Sequence, residues 1–194
     1  MSTIIFQNNL LSGDLKHTRL NIPREFYMGG PKVFISKDNQ FAYGSTGTNF
    51  EKKDVPILEA EFRCLLEFTS CGKGQGYIPD SGTILRKVMP EFMKSYPVND
   101  LILATRALAF RVRRDRGDSI LFSDNRPLCI GTSGVLAAGI LDAGCTISET
   151  YQIISECDSF TSAKFSSVDT SLLDHFVITG DSEKLATLRK EHLP

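Results

Sequence analysis

A hydroxyl residue beside a chain terminus is a nucleophile that lacks only a base, and Ser2 stands directly behind Met1 at the head of Thr3-Ile4-Ile5-Phe6. If Met1 is removed, Ser2 carries both the oxygen nucleophile and a free α-amine, whose pKa of about 7.7–8.0 lets it take a proton near neutrality. Base and nucleophile then share one residue. Asp14 and Lys32 follow at distances that two hairpins would bring back beside Ser2, adding a carboxylate and an ammonium to the same neighbourhood. Such a group suits acyl transfer, provided that the intervening elements fold its members onto one another.

The first fifty residues read as strands and tight turns. Thr3-Ile4-Ile5-Phe6 and Leu10-Leu11 flank Asn8-Asn9, a pair that tolerates the positive φ of a hairpin turn. Val33-Phe34-Ile35 and Phe41-Ala42-Tyr43 bracket Lys37-Asp38-Asn39 as a second hairpin. After it, Gly44-Ser45-Thr46-Gly47 is expected to break the strand and turn backbone amides toward a cavity. Thr18 to Gly30, punctuated by Pro23 and Gly29-Gly30, reads as irregular. From Asp54 the period becomes that of an amphipathic helix, with Ile57, Leu58, Phe62, Leu65, Leu66 and Phe68 on roughly one face and Pro56 in the first turn. The glycines of Cys71-Gly72-Lys73-Gly74-Gln75-Gly76 invite comparison with a phosphate-binding loop. That loop follows a strand and opens a helix with Gly-Lys-Ser/Thr, whereas here a helix precedes and Tyr77-Ile78-Pro79 follows, so the segment reads as a connection. A second helix is expected from about Ser81 through Phe92, bent or interrupted near Pro90.

Strands return at Leu101-Ile102-Leu103-Ala104, Ala109-Phe110-Arg111-Val112 and Ile120-Leu121-Phe122, with the mixed charges from Arg113 to Asp118 read as a solvated hairpin tip. Gly131-Thr132-Ser133-Gly134 leads into a small-residue helix capped by Gly144. Thr146 or Ser148 caps a further helix bearing Tyr151, Ile153, Ile154 and Cys157, with Glu149 near its positive end. Phe176-Val177-Ile178-Thr179 reads as a closing strand and Asp181 to Leu193 as a C-terminal helix. Strands, two helices, strands, two helices and a strand imply an α+β fold. Two antiparallel sheets with a helix pair on each outer face would form a four-layer αββα sandwich, a single domain over residues 1–194.

Bulk composition excludes more than it assigns. A net charge of −1 gives no reason to expect nucleic acid, and 41% hydrophobic residues is ordinary for a globular chain. No segment approaches the roughly 20 apolar residues of a membrane span, and the N-terminus lacks the basic and apolar regions of a signal peptide, so a cytoplasmic protein is expected. Five cysteines at irregular spacing, without a C-x-x-C pair and with only three histidines, suggest reduced thiols, mostly in the core. No metal or cofactor is expected.

With these elements in order, the chain resembles the proteasome β-type subunits and the related bacterial ATP-dependent protease subunit, members of the N-terminal nucleophile hydrolases. Ser2-Thr3-Ile4-Ile5 is similar to the family's mature start, and Ser12-Gly13-Asp14 to its small-small-Asp at the end of the next strand. Gly29-Gly30-Pro31-Lys32-Val33-Phe34 resembles the segment carrying its lysine. Asp38 through Gly44 resembles the hairpin whose following glycine amide forms the oxyanion hole. Gly131-Thr132-Ser133-Gly134 with Leu141-Asp142-Ala143-Gly144 resembles a Gly-Ser-Gly helix start and its Ala-Gly end, and Asp158 with Thr161 an Asp-x-x-Ser near the nucleophile. Serine replaces the usual threonine and lacks the methyl group that helps fix its rotamer.

The resemblance implies a mechanism. The Ser2 hydroxyl attacks a carbonyl, its own amine accepts the proton, and the backbone amide of Gly44, with Gly47 as the alternative, stabilises the oxyanion. The charge of Lys32 lowers the pKa of the amine and the hydroxyl, and Asp14 holds Lys32 in place. Ser133, Asp158 and Thr161 orient the amine. Peptide or amide hydrolysis would follow Met1 removal. The resemblance also implies a homo-oligomer, a ring of six or seven subunits that can stack, a polypeptide substrate and an ATP-dependent unfoldase as partner. An inactive ring-forming scaffold or binding protein and a small-molecule amidase are the alternatives on the same fold.

Overall fold

Asn8 and Asn9 both adopt positive φ, 49° and 63°, and so turn strand β1 (Thr3–Gln7) directly into β2 (Leu10–Asp14) as the paired asparagines suggest. The computed structural model describes residues 2–18, 26–28, 31–71, 81–114, 117–123 and 126–173. Beyond β2 the strands are β3 (Lys16–Thr18), β4 (Phe26–Met28), β5 (Val33–Ile35) and β6 (Ala42–Thr46). Helices α1 (Val55–Cys71), α2 (Ser81–Val88) and α3 (Pro90–Ser95) precede β7 (Asp100–Ala104), β8 (Ala109–Arg113), β9 (Ser119–Phe122) and β10 (Leu128–Gly131). The described chain closes with α4 (Gly134–Asp142), α5 (Ile147–Cys157) and β11 (Phe165–Asp169).

The strands form two main antiparallel sheets, one in the order β10-β1-β2-β11 and one in the order β5-β6-β7-β8-β9, with β3 and β4 as a separate ribbon. Alternation along β1 decides the layers. Ile4 and Phe6 pack between the sheets with Leu11, Val33, Ala42, Ile102 and Ile130, whereas Ile5 faces the other way, onto Ala137, Leu141, Tyr151 and Ile154 of α4 and α5. A third cluster joins Leu58, Phe62 and Leu65 of α1, Leu85 of α2 and Phe92 of α3 to Leu101, Leu103 and Phe110 of the second sheet. The result is the expected four-layer αββα sandwich. Each fully buried Ile, Leu or Phe in these layers contributes about 1.5–3 kcal/mol, which fixes where β1 and its first residues lie.

Several expectations are corrected. The interruption expected at Pro90 is a full break, because its ring cannot sit inside a helix and is accepted only in a first turn, so among the described residues three helices rather than a pair cover that sheet. Ile57 and Phe68 are exposed, and the buried face of α1 runs through Leu58, Phe62, Leu65, Leu66 and Thr69. Of the four cysteines whose side chains are described, only Cys129 is buried. Arg114 is not solvated. Its guanidinium donates to the Met93 and Tyr96 carbonyls and pairs with Asp118, tying β8 to the end of α3.

The pairing of β3 with β4 takes up part of the stretch read as irregular. β10 and β11 were not expected; Phe165-Ser166-Ser167-Val168-Asp169 lacks an apolar alternation because its serines are themselves buried, Ser167 bonding Ser12 Oγ at 2.8 Å. The expected strand at Phe176–Thr179 and the helix from Asp181 lie outside the described residues. Thr146, rather than Ser148, caps α5, in a full capping box with Glu149.

Candidate active site

Ser2 enters the fold on the strand alternation of β1, on the side of Ile4 and Phe6, and is 9% exposed. Its carbonyl accepts the Thr132 N–H at 3.2 Å. Gly131, paired with Thr3 in the sheet, has φ of +97°, and a Cβ built there would lie 1.7 Å from the Ser2 carbonyl oxygen. Only glycine allows β10 to approach Ser2 so closely. That contact accounts for the first glycine of Gly131-Thr132-Ser133-Gly134.

Beside Ser2 lies a buried ion pair. Lys32 Nζ donates to both oxygens of Asp14, at 3.0 and 2.9 Å, and the two side chains are 4% and 0% exposed. Asp14 also accepts the Thr3 N–H at 2.7 Å and the Lys16 N–H at 3.1 Å, while Lys32 donates to the Lys16 carbonyl. Burial raises the Asp14 carboxyl above its ordinary value against the pull of Lys32 and these N–H donors, and burial lowers the Lys32 ammonium against the pull of Asp14. The pair is coupled to Ser2 through one peptide, since the amide between Ser2 and Thr3 donates to Asp14.

A second group converges from the helices. Asp158 accepts hydrogen bonds from Ser133 Oγ, from Thr161 Oγ1 at 3.1 Å and from the Phe160 N–H at 2.9 Å. Partial burial works against its carboxylate, but the Ser133, Phe160 and Thr161 donors outweigh that and hold its pKa below the ordinary value. Thr161 Oγ1 lies 2.8 Å from Thr3 Oγ1. Tyr151, a phenol kept protonated by complete burial, donates to the Thr3 carbonyl at 3.2 Å. Lys16 Nζ reaches the Ser159 carbonyl and so joins the loop around Asp158 to the start of β3, two residues beyond Asp14.

Six of the residues singled out in the sequence, Ser2, Asp14, Lys32, Ser133, Asp158 and Thr161, therefore lie around one end of β1. Thr3 holds them together. Its N–H, hydroxyl and carbonyl contact Asp14, Thr161 and Tyr151 respectively, and it has no exposed surface. Thr3, Lys16 and Tyr151 were missed. The one sequence signal for Thr3 is that a polar residue occupies a position facing the Ile5 side, where an apolar one belongs.

Gly44 is placed differently from the expectation. It lies inside β6, opposite Val33 on one side and Ile102 on the other, so its N–H belongs to the sheet ladder and not to a cavity. Its lack of a side chain serves packing instead, since a Cβ there would meet Val33 at 3.0 Å and Ile4 at 3.1 Å. The strand ends at Gly47, whose φ is +107°. The preceding Thr46 reaches the Ser2 side, because a Cβ on Gly131 would lie 3.1 Å from Thr46 Cγ2. Among the described residues no group of three or more His, Cys, Asp or Glu side chains is placed to share a metal ion.

No family model and no curated protein matches the sequence, but solved structures match the fold. The chain is similar to eukaryotic HslV from Trypanosoma brucei at 16% identity and a TM-score of 0.57, over 86% of this chain and 96% of that one. It is similar to the Anbu complex from Pseudomonas aeruginosa, solved as a helical assembly, at 10% identity and a TM-score of 0.54, over 98% and 91% of the two chains. BPH from Thiobacillus denitrificans, in complex with epoxomicin, matches at 12% identity and a TM-score of 0.51, over 86% and 95%. The fold is the proteasome-like N-terminal nucleophile hydrolase fold, the one the motifs suggested.

Proposed function

We propose that this chain is a peptide or amide hydrolase in which Ser2, made the N-terminus by loss of Met1, is the nucleophile. The observation that carries the reading is the Asp14–Lys32 pair, removed from water and hydrogen-bonded to the amide that follows Ser2. A buried ion pair is poor support for stability, because desolvation cancels much of the attraction, and a perturbed pair beside a hydroxyl marks a site. In the proposed reaction Ser2 Oγ attacks the substrate carbonyl carbon while its proton passes to the Ser2 α-amine. The negative charge on the carbonyl oxygen is taken by the Gly47 N–H, since that of Gly44 is committed to the sheet. Collapse of the intermediate breaks the C–N bond, and the leaving amine takes the proton from the α-amine. Water then cleaves the acyl ester by the same route and restores Ser2. Lys32 lowers the pKa of the α-amine, and Asp158 with Ser133 and Thr161 fixes the first turn of chain around it.

The pH dependence has a definite sign. A protonated amine cannot accept the Ser2 proton, so kcat/KM falls as pH falls. With the Lys32 charge nearby, the midpoint of this acid limb lies below the ordinary α-amine value of about 7.7. A pH-rate profile on a fluorogenic peptide checks this, and a midpoint at or above about 8 would remove Lys32 from the account.

Self-assembly belongs to the same reading. Val135 and Leu136 of α4 and Ile153 of α5 are exposed apolar residues, Val135 at 91%, and the Pseudomonas aeruginosa relative forms a helical assembly. A ring of six or seven copies, a polypeptide substrate and an ATP-dependent unfoldase complete the proposal. Light scattering is expected to give the mass of a multimer, and a monomer at all concentrations would contradict a compartment built from this chain.

A further inference from the structure

Asn99, just before β7, has no exposed surface, yet among the described residues its side chain bonds a single segment, the end of β6 and the turn that follows it. Oδ1 accepts the Thr48 N–H at 2.8 Å, and Nδ2 donates to the Thr48 carbonyl at 2.7 Å and to Ser45 Oγ at 3.0 Å. Gly47 lies inside this grip. A Cβ on it would sit 2.2 Å from Asn99 Oδ1 and 3.3 Å from the Asn99 Cα, and its φ of +107° excludes most other residues. Ser45 and Thr48, on either side of Gly47, are therefore tied to one rigid point on the neighbouring strand.

The rest of the connection is held from the same place. Tyr96, at the end of α3, donates from its hydroxyl to Asp54 at 2.8 Å and accepts the Glu51 N–H at 3.1 Å, and its ring meets Phe50 edge-on at 5.0 Å. The chain between β6 and α1 thus has two anchors, of which Asn99 is the one that brackets Gly47. A buried amide makes no better filler than an apolar side chain and is costly when unpaired. Spending all of it on three polar contacts to one turn sets the direction of that turn's backbone.

We infer that Asn99 is a positioning residue for oxyanion stabilisation: by clamping Ser45 and Thr48 it aims the Gly47 N–H at the carbonyl oxygen of a substrate bound to Ser2. The inference rests on the hydrolase reading above and deepens it. An oxyanion donor acts only at about 2.7–3.1 Å from the developing charge, and a misplacement of about 1 Å costs about 10²-fold in rate. Asn99 touches neither substrate nor Ser2 and acts through Gly47 alone.

The test compares native protein freed of Met1 with Asn99→Ala and Asn99→Ser, by kcat, KM and pH profile on one fluorogenic peptide. Asn99→Ser brings no charge into the buried position and keeps one short polar group near the turn, too short to hold both Thr48 groups and Ser45, and serves if the alanine variant does not fold. Expected is a fall in kcat of about 10²-fold for Asn99→Ala and about 10-fold for Asn99→Ser, with KM within about threefold. The acid limb stays where it was, because the α-amine and Lys32 are untouched. A merely structural role would move KM and the acid limb together with the rate, and that result overturns the inference. So does a kcat within a factor of about two of native in folded variants. If native protein freed of Met1 turns over no peptide, the hydrolase reading itself fails; an active native protein with unaffected Asn99 variants sinks the positioning role alone.

Discussion

Replacing Ser2 by alanine in protein freed of Met1 is expected to lower peptide hydrolysis by on the order of 10⁴-fold or more, to background, since the other hydroxyls of the site, those of Thr3, Ser133 and Thr161, are engaged in hydrogen bonds to one another and to Asp158. The fold should hardly notice. Ser2 is fixed through its backbone, by the carbonyl bond to Thr132 and by the peptide that donates to Asp14, and both remain in Ser2→Ala. The unfolding midpoint in urea should therefore stay at its native value while the activity disappears. Ser2→Thr should retain activity, because it keeps the hydroxyl and adds the methyl that restricts its rotamer. A Ser2→Ala variant that still hydrolyses the peptide would assign the chemistry to another residue.

Lys32→Met is expected to destabilise the fold by about 3–5 kcal/mol, because it leaves the Asp14 carboxylate buried without its cation. The pH dependence separates this from simple loss of packing. Asp14 is raised above its ordinary 3.8 in the fold. Its linkage to stability therefore favours the fold below that value and is lost as pH rises through the raised pKa. Lys32 is lowered from 10.5, so its contribution is present above 10.5 and lost as pH falls through the lowered pKa. At neutral pH neither linkage helps, and the pair stands by mutual attraction and by its hydrogen bonds to the Thr3 and Lys16 backbone. Removing Lys32 raises Asp14 further, so the deficit of Lys32→Met should be greatest at neutral pH and shrink as the buffer is acidified. Adding Asp14→Asn should recover most of the stability, because the amide keeps an acceptor for the Thr3 N–H and carries no charge. The double variant should fold and be inactive. Chemical denaturation across pH, with activity on the same samples, measures both. A double variant as unstable as Lys32→Met would mean that the pair is structural.

The parts of this molecule that were legible in the sequence are those governed by local chemistry. Asn8-Asn9 states its turn because few residues accept positive φ, and the start of α5 was readable to Thr146 or Ser148 from local hydroxyls, the capping box with Glu149 then deciding for Thr146. The four layers followed from where the period changes from strand to helix. Ser2, Asp14 and Lys32 were readable as a group because hairpins are short and return to their starting point. What stayed hidden depends on distant partners. Gly44 and Gly47 look alike in sequence, and only the packing of Ile4 and Val33 against Gly44 shows that the strand runs through it to Thr46. β11 carries buried serines whose partner, Ser12, lies far back in the chain. Thr3 acts as much through its backbone N–H and carbonyl as through its side chain, and Asn99 grips a turn roughly fifty residues before it.

The central claim is that Ser2 acts as an N-terminal nucleophile, and reaction with an electrophilic peptide inhibitor, followed by intact mass and peptide mapping, tests it most directly. The account predicts a chain lacking Met1, one inhibitor added per chain, the added mass on the N-terminal peptide at Ser2, and no addition to Ser2→Ala. A chain that keeps Met1, or one that lacks it and takes up no inhibitor at Ser2, would contradict the account.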